Sequence, residues 1–232
     1  MLFKQLFHEE SSTYTYLIAC TETHNAVLID PVNTDIDDYI ALLAEHRLTL
    51  KYALDTHVHA DHITASGLLK RLLGCQTAVS ALCHVNNADV AIHDGDVFSL
   101  SDYEAIEAIS TPGHTAGSVC FLWRDRVFTG DTLLINGCGR TDFQGGDAAA
   151  QYDSITQSLF TLPDETLVYP GHDYTGHYVS NIVQEKTSNS RLANKSKAQF
   201  IEIMDNLDLP YPKLIDIAVP ANRDCGVIPQ SR

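Results

Sequence analysis

The six cysteines of the chain include no Cys-x-x-Cys pair. The sequence therefore indicates neither a thiolate zinc knot nor a disulfide framework, and most cysteines are expected to be small buried hydrophobic residues. No apolar stretch is long enough to span a bilayer, so we expect no membrane partner. The N-terminus lacks the long apolar region and the cleavage site of a secretory signal, and we predict a cytoplasmic protein.

Positive charge is scarce in this chain. It has 15 lysines and arginines against 30 aspartates and glutamates, a formal net charge of −15, and no basic run. Most of the surface would repel a phosphate backbone, so nucleic acid is not an expected partner. A small anionic substrate can still bind to an acidic protein, but it requires arginines placed locally in the pocket.

The length of 232 residues predicts a single domain over residues 1–232 with a substantial core. Hydrophobic patterns alternate between strand and helix periods, and no internal repeat is present. The patterns predict strands at Leu2 to Phe7, Tyr14 to Cys20, Ala26 to Asp30, Leu48 to Asp55, Gln76 to Ser80, within Asp96 to Ile109, and at Ser118 to Trp123, Arg126 to Thr129 and Leu167 to Tyr169. They predict helices at Asp35 to Arg47, Ile63 to Leu73, Tyr178 to Asn189 and Lys197 to Leu207. This order suggests strands with outer helices arranged twice, although periodicity alone does not separate such a sandwich from other α/β layouts.

The segment Thr56-His57-Val58-His59-Ala60-Asp61-His62 holds three histidines and an aspartate within seven residues. Imidazole nitrogen and carboxylate oxygen are the ligands that zinc and iron prefer, and a His-x-His step puts two rings on the same side of an extended segment. The alternative is a solvated loop or a polar turn. Three more loops carry a potential ligand after a short apolar run: Pro112-Gly113-His114-Thr115, Thr129-Gly130-Asp131 and Pro170-Gly171-His172-Asp173. Because every candidate ligand follows a strand, we predict a metal site at one rim of a layered sheet.

The order and spacing of these ligand residues resemble the metal-binding series of the metallo-β-lactamase fold superfamily. Two further segments, Gly137-Cys138-Gly139-Arg140-Thr141-Asp142-Phe143 and Pro220-Ala221-Asn222 followed by Cys225-Gly226, resemble the persulfide dioxygenases, also called sulfur dioxygenases or the ETHE-type family. The resemblance covers the whole chain. It implies an α/β fold of the four-layer αββα sandwich type with C-terminal helices.

The resemblance also implies one non-haem Fe(II) per chain, with His57, His114 and Asp131 as ligands. Two imidazoles and one carboxylate leave three positions for water, substrate sulfur and dioxygen. The implied reaction oxidises glutathione persulfide with O2 to sulfite and glutathione. Four further residues match the remaining ligands of two-metal hydrolases such as glyoxalase II, and in the persulfide branch they are expected to orient the ligands by hydrogen bonding. These are His59, Asp61, His62 and His172.

Substrate-binding residues are also implied by the resemblance. Arg140 and Arg191 are candidates for binding the glutathione carboxylates, since a guanidinium binds a carboxylate through two hydrogen bonds. Thr115 and Tyr174 match positions that line the pocket. The alternatives are a surface salt bridge for Arg191 and rim packing for Tyr174, and Ser190 stands where the family often has proline. A homodimer is expected from the family alone.

Three functional hypotheses follow from the sequence. The first is the Fe(II) persulfide dioxygenase. The second is a glyoxalase II-type thioester hydrolase with two metal ions, in which Asp131 spans both. The third is a non-catalytic module that holds a metal or binds sulfane sulfur. Cys225 is expected to be structural rather than a reactive thiol, because only Arg223 nearby would lower its pKa and Asp224 opposes that effect.

Overall fold

The computed structural model describes residues 1–227. These residues form two compact units. The first comprises Met1–Ile92, Val97–Ala105 and the segment from Tyr211 onwards, and the second comprises His93–Asp96 and Ile106–Pro210. The single domain over residues 1–232 stays a prediction. In the described part of the chain, no helix has the length and apolar character needed to cross a bilayer.

The strands form two six-stranded sheets, ordered β1-β2-β3-β4-β5-β6 and β12-β11-β10-β9-β8-β7. The strands are β1 (Leu2–His8), β2 (Thr13–Ala19), β3 (Asn25–Ile29), β4 (Thr49–Leu54), β5 (Gln76–Ser80), β6 (Val90–Ile92), β7 (Val97–Ser99), β8 (Ala105–Ser110), β9 (Val119–Trp123), β10 (Arg126–Gly130), β11 (Leu167–Pro170) and β12 (Ser180–Asn181). The α-helices are α1 (Ile36–Glu45), α2 (Ser66–Leu73), α3 (Ala148–Asp153), α4 (Ile182–Ser188), α5 (Lys197–Asp205) and α6 (Ile215–Asn222).

In the first unit, adjacent parallel strands bring polar residues to one sheet edge. Strands β1 to β3 form an antiparallel meander, and β3 then pairs in parallel with β4 across the α1 crossover. Ile29 pairs with Leu54, so Asp30 and the segment after Leu54 leave the sheet side by side. A buried apolar cluster that includes Leu28, Ala53 and residues of α1 and α2 holds these strands in place.

In the second unit, adjacent parallel strands likewise bring polar residues to one sheet edge. Strand β10 is antiparallel to β9 and parallel to β11, and Gly130 pairs with Pro170. Asp131 and His172 therefore emerge at the same edge of the sheet. The strands and helices α3 to α5 share a buried cluster that contains Val127, Val168 and Phe200.

The predicted strands are confirmed within a residue or two, whereas two helix starts differ. The helix predicted from Ile63 begins only at Ser66, because the Thr64 hydroxyl donates to Asp55 and the Thr64 amide donates to Asn222. The helix predicted at Tyr178 to Asn189 begins at Ile182, after Asn181 accepts from the Gln184 amide as its cap. The predicted capping box of Ser196 and Gln199 is present. Helices α3 and α6 and the short strands β6 and β12 were not predicted.

Candidate metal centre

The histidine segment of the first unit forms an irregular loop between β4 and α2. His57 and His59 are buried, and their ring centroids lie 4.1 Å apart. His62 is also buried, and its ring centroid lies 4.2 Å from that of His59. The predicted clustering of the three imidazoles is therefore present, and the alternative of a solvated loop is wrong.

Asp30, the residue after β3, fixes this loop. It is buried, and its carboxylate accepts from the Thr56 amide at 2.7 Å and from the Thr56 hydroxyl at 2.9 Å. Its Oδ1 also lies 3.1 Å from Nε2 of His59. Burial disfavours the charged imidazole, but the charge of Asp30 and this hydrogen bond outweigh it and raise the pKa of His59 to about 9. Nε2 of His59 is thus committed to Asp30, while its buried Nδ1 has no hydrogen-bond partner among residues 1–227.

Asp61 and His62 are joined to each other. Oδ2 of Asp61 lies 2.7 Å from Nδ1 of His62 and accepts from the Thr13 hydroxyl at 3.1 Å. Ligand atoms of His59, Asp61 and His62 all lie within 4.8 Å of one another. Besides His57, the first unit therefore contains a group of imidazole and carboxylate donors, the donor types that bind metal ions.

In the second unit, His114 and Asp131 face each other. Nδ1 of His114 lies 2.6 Å from the carbonyl oxygen of Arg140. Because a carbonyl can only accept, Nδ1 carries a proton, and in the neutral ring this leaves the lone pair on Nε2, as metal-bound histidines require. Nε2 lies 3.6 Å from Oδ2 of Asp131, which is longer than a hydrogen bond.

Asp131 has the features of a metal ligand. Its Oδ1 is buried without a hydrogen-bond partner among the described residues and lies 3.6 Å from Nε2 of His172. A buried carboxylate oxygen without a donor is costly unless a cation compensates it. The donor set of this unit therefore fits a bound metal ion, with His114 and Asp131 as the first candidates and His172 beside them.

A buried glutamine, which sequence reasoning missed, holds the loop around these ligands. Gln151 of α3 donates from Nε2 to the carbonyl oxygens of Thr132 at 3.1 Å and Gly139 at 3.2 Å. The Gly139 amide in turn donates to the Asp131 carbonyl at 2.7 Å. No sequence signal identifies this role, since Gln151 acts only through backbone groups that lie far from it along the chain.

Arg140 already binds a carboxylate. Its Nε and Nη2 each lie 2.6 Å from an oxygen of Asp142, and its Nη1 donates to the Pro210 carbonyl at 2.7 Å. The guanidinium lies 4.7 Å from the ring centroid of Phe143. The hydrogen bonds to Asp142 raise the pKa of Arg140, so the guanidinium is permanently charged. This is the bidentate geometry with which arginine recognises carboxylates.

The other substrate candidates have different surroundings. Arg191 donates to the Cys138 carbonyl oxygen and pairs with no carboxylate of residues 1–227, which argues against the surface salt bridge. Tyr174 is 72% exposed and stacks on His172 with a centroid distance of 5.9 Å. Thr115 is buried, and its hydroxyl lies 2.9 Å from that of Ser118. The substrate-binding roles of these residues stay predictions.

Similarity to known proteins identifies the family. The chain matches the family model of the metallo-beta-lactamase superfamily over residues 8–86 and 87–172. It is 49% identical to the mouse protein named "Persulfide dioxygenase ETHE1, mitochondrial", over 98% of this chain and 89% of that protein. The chain belongs to the persulfide dioxygenase family.

Structural similarity agrees with this membership. The crystal structure of ETHE1 from Myxococcus xanthus superposes with a TM-score of 0.95 and 54% identity, over 98% of this chain and all of that chain. The αββα sandwich fold and the persulfide dioxygenase activity predicted from the sequence are thereby confirmed.

A cytoplasmic hydroxyacylglutathione hydrolase from Arabidopsis thaliana is 32% identical over 82% of this chain and 76% of that protein. The hydrolase alternative is thus the more distant relationship. The cytoplasmic location stays a prediction, since the mouse relative is named mitochondrial.

Proposed function

We propose that this persulfide dioxygenase holds one Fe(II) per chain through His57, His114 and Asp131. The reaction consumes glutathione persulfide, O2 and water and yields glutathione and sulfite: GSSH + O2 + H2O → GSH + SO3²⁻ + 2 H⁺. The terminal sulfur is oxidised, both atoms of O2 are reduced, and the sulfur–sulfur bond breaks. The observations that carry the proposal are a His114 imidazole whose Nδ1 donates to a carbonyl and whose Nε2 faces Asp131, together with a buried Oδ1 of Asp131 that has no hydrogen-bond donor among residues 1–227.

The donor chemistry suits iron. These three side chains are among the groups of residues 1–227 that could hold a metal ion. Two imidazoles and one carboxylate are the ligands of non-haem Fe(II) oxygenases, and they leave coordination positions open for both reactants. When bound, iron supplies a route for the otherwise spin-forbidden reaction of O2 with a closed-shell persulfide.

The chain itself keeps the ligands in their required protonation states. The Arg140 carbonyl holds the proton of His114 on Nδ1. The Thr56 hydroxyl donates to Asp30 and lies 2.9 Å from Nδ1 of His57, so it can accept from that nitrogen and leave Nε2 available to a metal ion. Asp30 binds the same hydroxyl and so fixes both Thr56 and the ring beside it.

Arg140 is proposed to bind a carboxylate of glutathione in place of Asp142. The Asp142 side chain is 53% exposed, so it can move into solvent when a substrate carboxylate takes its place on this guanidinium. Arg191 is proposed to support the Gly137 to Arg140 loop through the Cys138 carbonyl, in addition to its predicted contact with substrate. Thr115 and Tyr174 are proposed to line the same pocket. A homodimer stays a prediction.

A second candidate function, a two-metal thioester hydrolase, is favoured by the grouping of His59, Asp61 and His62. We propose instead that these residues orient the ligand loop, as the resemblance to the persulfide dioxygenases implies, through the hydrogen bonds of His59 to Asp30 and of His62 to Asp61. His172, beside Asp131, is assigned the same orienting role. The two functions predict different metal counts.

The deciding experiment measures metal content per chain in anaerobically purified protein, together with O2 uptake and sulfite release on addition of glutathione persulfide. We expect about one iron per chain, one O2 consumed for each sulfite formed, and no hydrolysis of a glutathione thioester. Two metal ions per chain with thioester hydrolysis and no O2 uptake would support the hydrolase. Metal binding without either reaction would support the non-catalytic module.

The Arg140→Ala variant is expected to bind iron normally and to raise the KM for glutathione persulfide. Loss of a charge-assisted pair costs about 1.5–3 kcal/mol, which corresponds to roughly a 10- to 100-fold rise in KM. The measurement is steady-state O2 uptake together with iron content. Arg126→Ala is the matched control, since Arg126 also binds a neighbouring carboxylate, that of Asp125. Loss of iron from the Arg140→Ala protein would contradict the assigned role.

A further inference from the structure

The C-terminal segment contacts the histidine loop through one side chain. Asn222, the last residue of α6, is 4% exposed. Its Nδ2 donates to the carbonyl oxygens of His59 at 2.9 Å and His62 at 2.8 Å, and its Oδ1 accepts from the Thr64 amide at 2.9 Å. A single amide thus joins three backbone groups that lie about 160 residues away in sequence.

We propose that Asn222 is a positioning residue for the metal-binding loop. This inference rests on the proposed function, since it takes His57 as an iron ligand. The loop from Asp55 to Ile63 has no helix or strand, so its carbonyl groups lack the regular series of backbone donors that a helix or strand supplies. Asn222 supplies donors to the carbonyls of His59 and His62, and these bonds fix the course of the loop that carries the proposed ligand His57.

The requirement for asparagine follows from its hydrogen-bonding groups. The carboxamide offers two N–H donors and a carbonyl acceptor on a short side chain, and the loop uses both kinds. Aspartate keeps the shape and the acceptor but, when ionised, places a negative charge against two carbonyl oxygens. Leaving buried carbonyls without donors costs about 1–3 kcal/mol for each group.

The turn that follows Asn222 holds this contact in place. The Gly67 amide donates to the Cys225 carbonyl at 2.9 Å, and the Asn86 amide donates to the Arg223 carbonyl at 2.7 Å. Gly226 has a φ of +76°, and a Cβ there would lie 2.0 Å from the Thr64 carbonyl oxygen. No larger residue fits at Gly226, so the turn lies directly against the segment that ends the loop.

Cys225 belongs to this same turn and has a structural role. Its Sγ donates to the Asn86 carbonyl at 3.5 Å, and burial raises the pKa of its thiol to about 11. At neutral pH the thiol is therefore protonated and a poor nucleophile. The Asn-x-x-Cys-Gly pattern thus serves to attach the C-terminal segment to the metal-binding loop.

The test compares Asn222→Asp with Asn25→Asp. Asn25 lies in the same unit, and its Nδ2 donates to the Leu100 carbonyl at 2.9 Å, away from the histidine loop. For each protein we would measure the Fe(II) dissociation constant anaerobically by chelator competition and the visible spectrum of the Co(II)-loaded form. The free energy of unfolding of the metal-free form would be measured separately. Asn222→Asp is expected to weaken Fe(II) binding about 10- to 100-fold and to alter the Co(II) spectrum. Asn25→Asp should change neither.

The possible results separate this inference from the proposed function. Equal Fe(II) affinity and an unchanged Co(II) spectrum in Asn222→Asp would overturn the inference while leaving the iron site intact. A parent protein without bound iron, or a His57→Ala variant that retains it, would instead refute the proposed ligand set. Asn222→Ala removes the same donors without burying a charge. It is measured in the same way if the aspartate variant does not fold. Failure of both variants to fold, with Asn25→Asp folded, would overturn the inference in favour of a role in folding alone.

Discussion

Replacing Asp131 with alanine is expected to abolish iron binding and persulfide oxidation together. Asp131 supplies the only carboxylate of the proposed ligand set, and its buried Oδ1 lacks a hydrogen-bond donor among the described residues. Partners of metal ligands typically contribute 10- to 100-fold in metal affinity, so the loss of a ligand should exceed about 100-fold. Iron content after anaerobic purification and O2 uptake with glutathione persulfide measure the two effects.

Two further variants test whether the charge of Asp131 is required and whether the effect is specific to this carboxylate. Asp131→Asn keeps the shape of the side chain but removes its charge, and it should also lose iron. Asp164→Ala removes an exposed carboxylate of the same unit, one that pairs with Lys186 at 2.5 Å, and it should retain both iron and activity. An Asp131→Ala protein that still bound one iron per chain would show that the carboxylate ligand had been assigned wrongly.

The fold and the ligand-bearing loops could be predicted because their signals are local. Alternating apolar residues define the strands, and a polar residue directly after a strand must lie at a sheet edge. Parallel pairing then brings Asp131 and His172 to one edge, as the register of Gly130 with Pro170 shows. The resemblance of the motifs to persulfide dioxygenases supplied the chemistry, which periodicity alone does not contain.

The residues that support the ligands could not be predicted. Asp30, Gln151 and Asn222 are single polar side chains that bind groups far away in sequence, and two of them act on backbone carbonyls. Helix α6 was missed because Pro220 lies inside it, and proline usually ends a helix. The pairing of Arg140 with Asp142 was also beyond the sequence, since it depends on side-chain conformation.

The Gly139→Ala variant is expected to lose both stability and metal affinity. A Cβ at Gly139 would lie 2.5 Å from the Asp131 carbonyl oxygen and 2.7 Å from Nδ1 of His114. Neither atom is the end of a flexible side chain, so the imidazole and the loop must separate. Overpacking of this kind costs about 1–3 kcal/mol. Urea unfolding of the metal-free protein and chelator competition for Fe(II) measure the two losses.

Gly137→Ala is the matched control for this prediction. A Cβ at Gly137 would meet no atom within 4 Å, so its stability should change by no more than about 0.5 kcal/mol and its iron affinity should be unchanged. Displacing the loop at Gly139 also separates Nδ1 of His114 from the Arg140 carbonyl, which fixes the tautomer of that ring. Fe(II) affinity in Gly139→Ala should therefore fall by about 10- to 100-fold. A Gly139→Ala protein that lost stability but bound Fe(II) as tightly as the parent would show that this loop is not needed to hold His114.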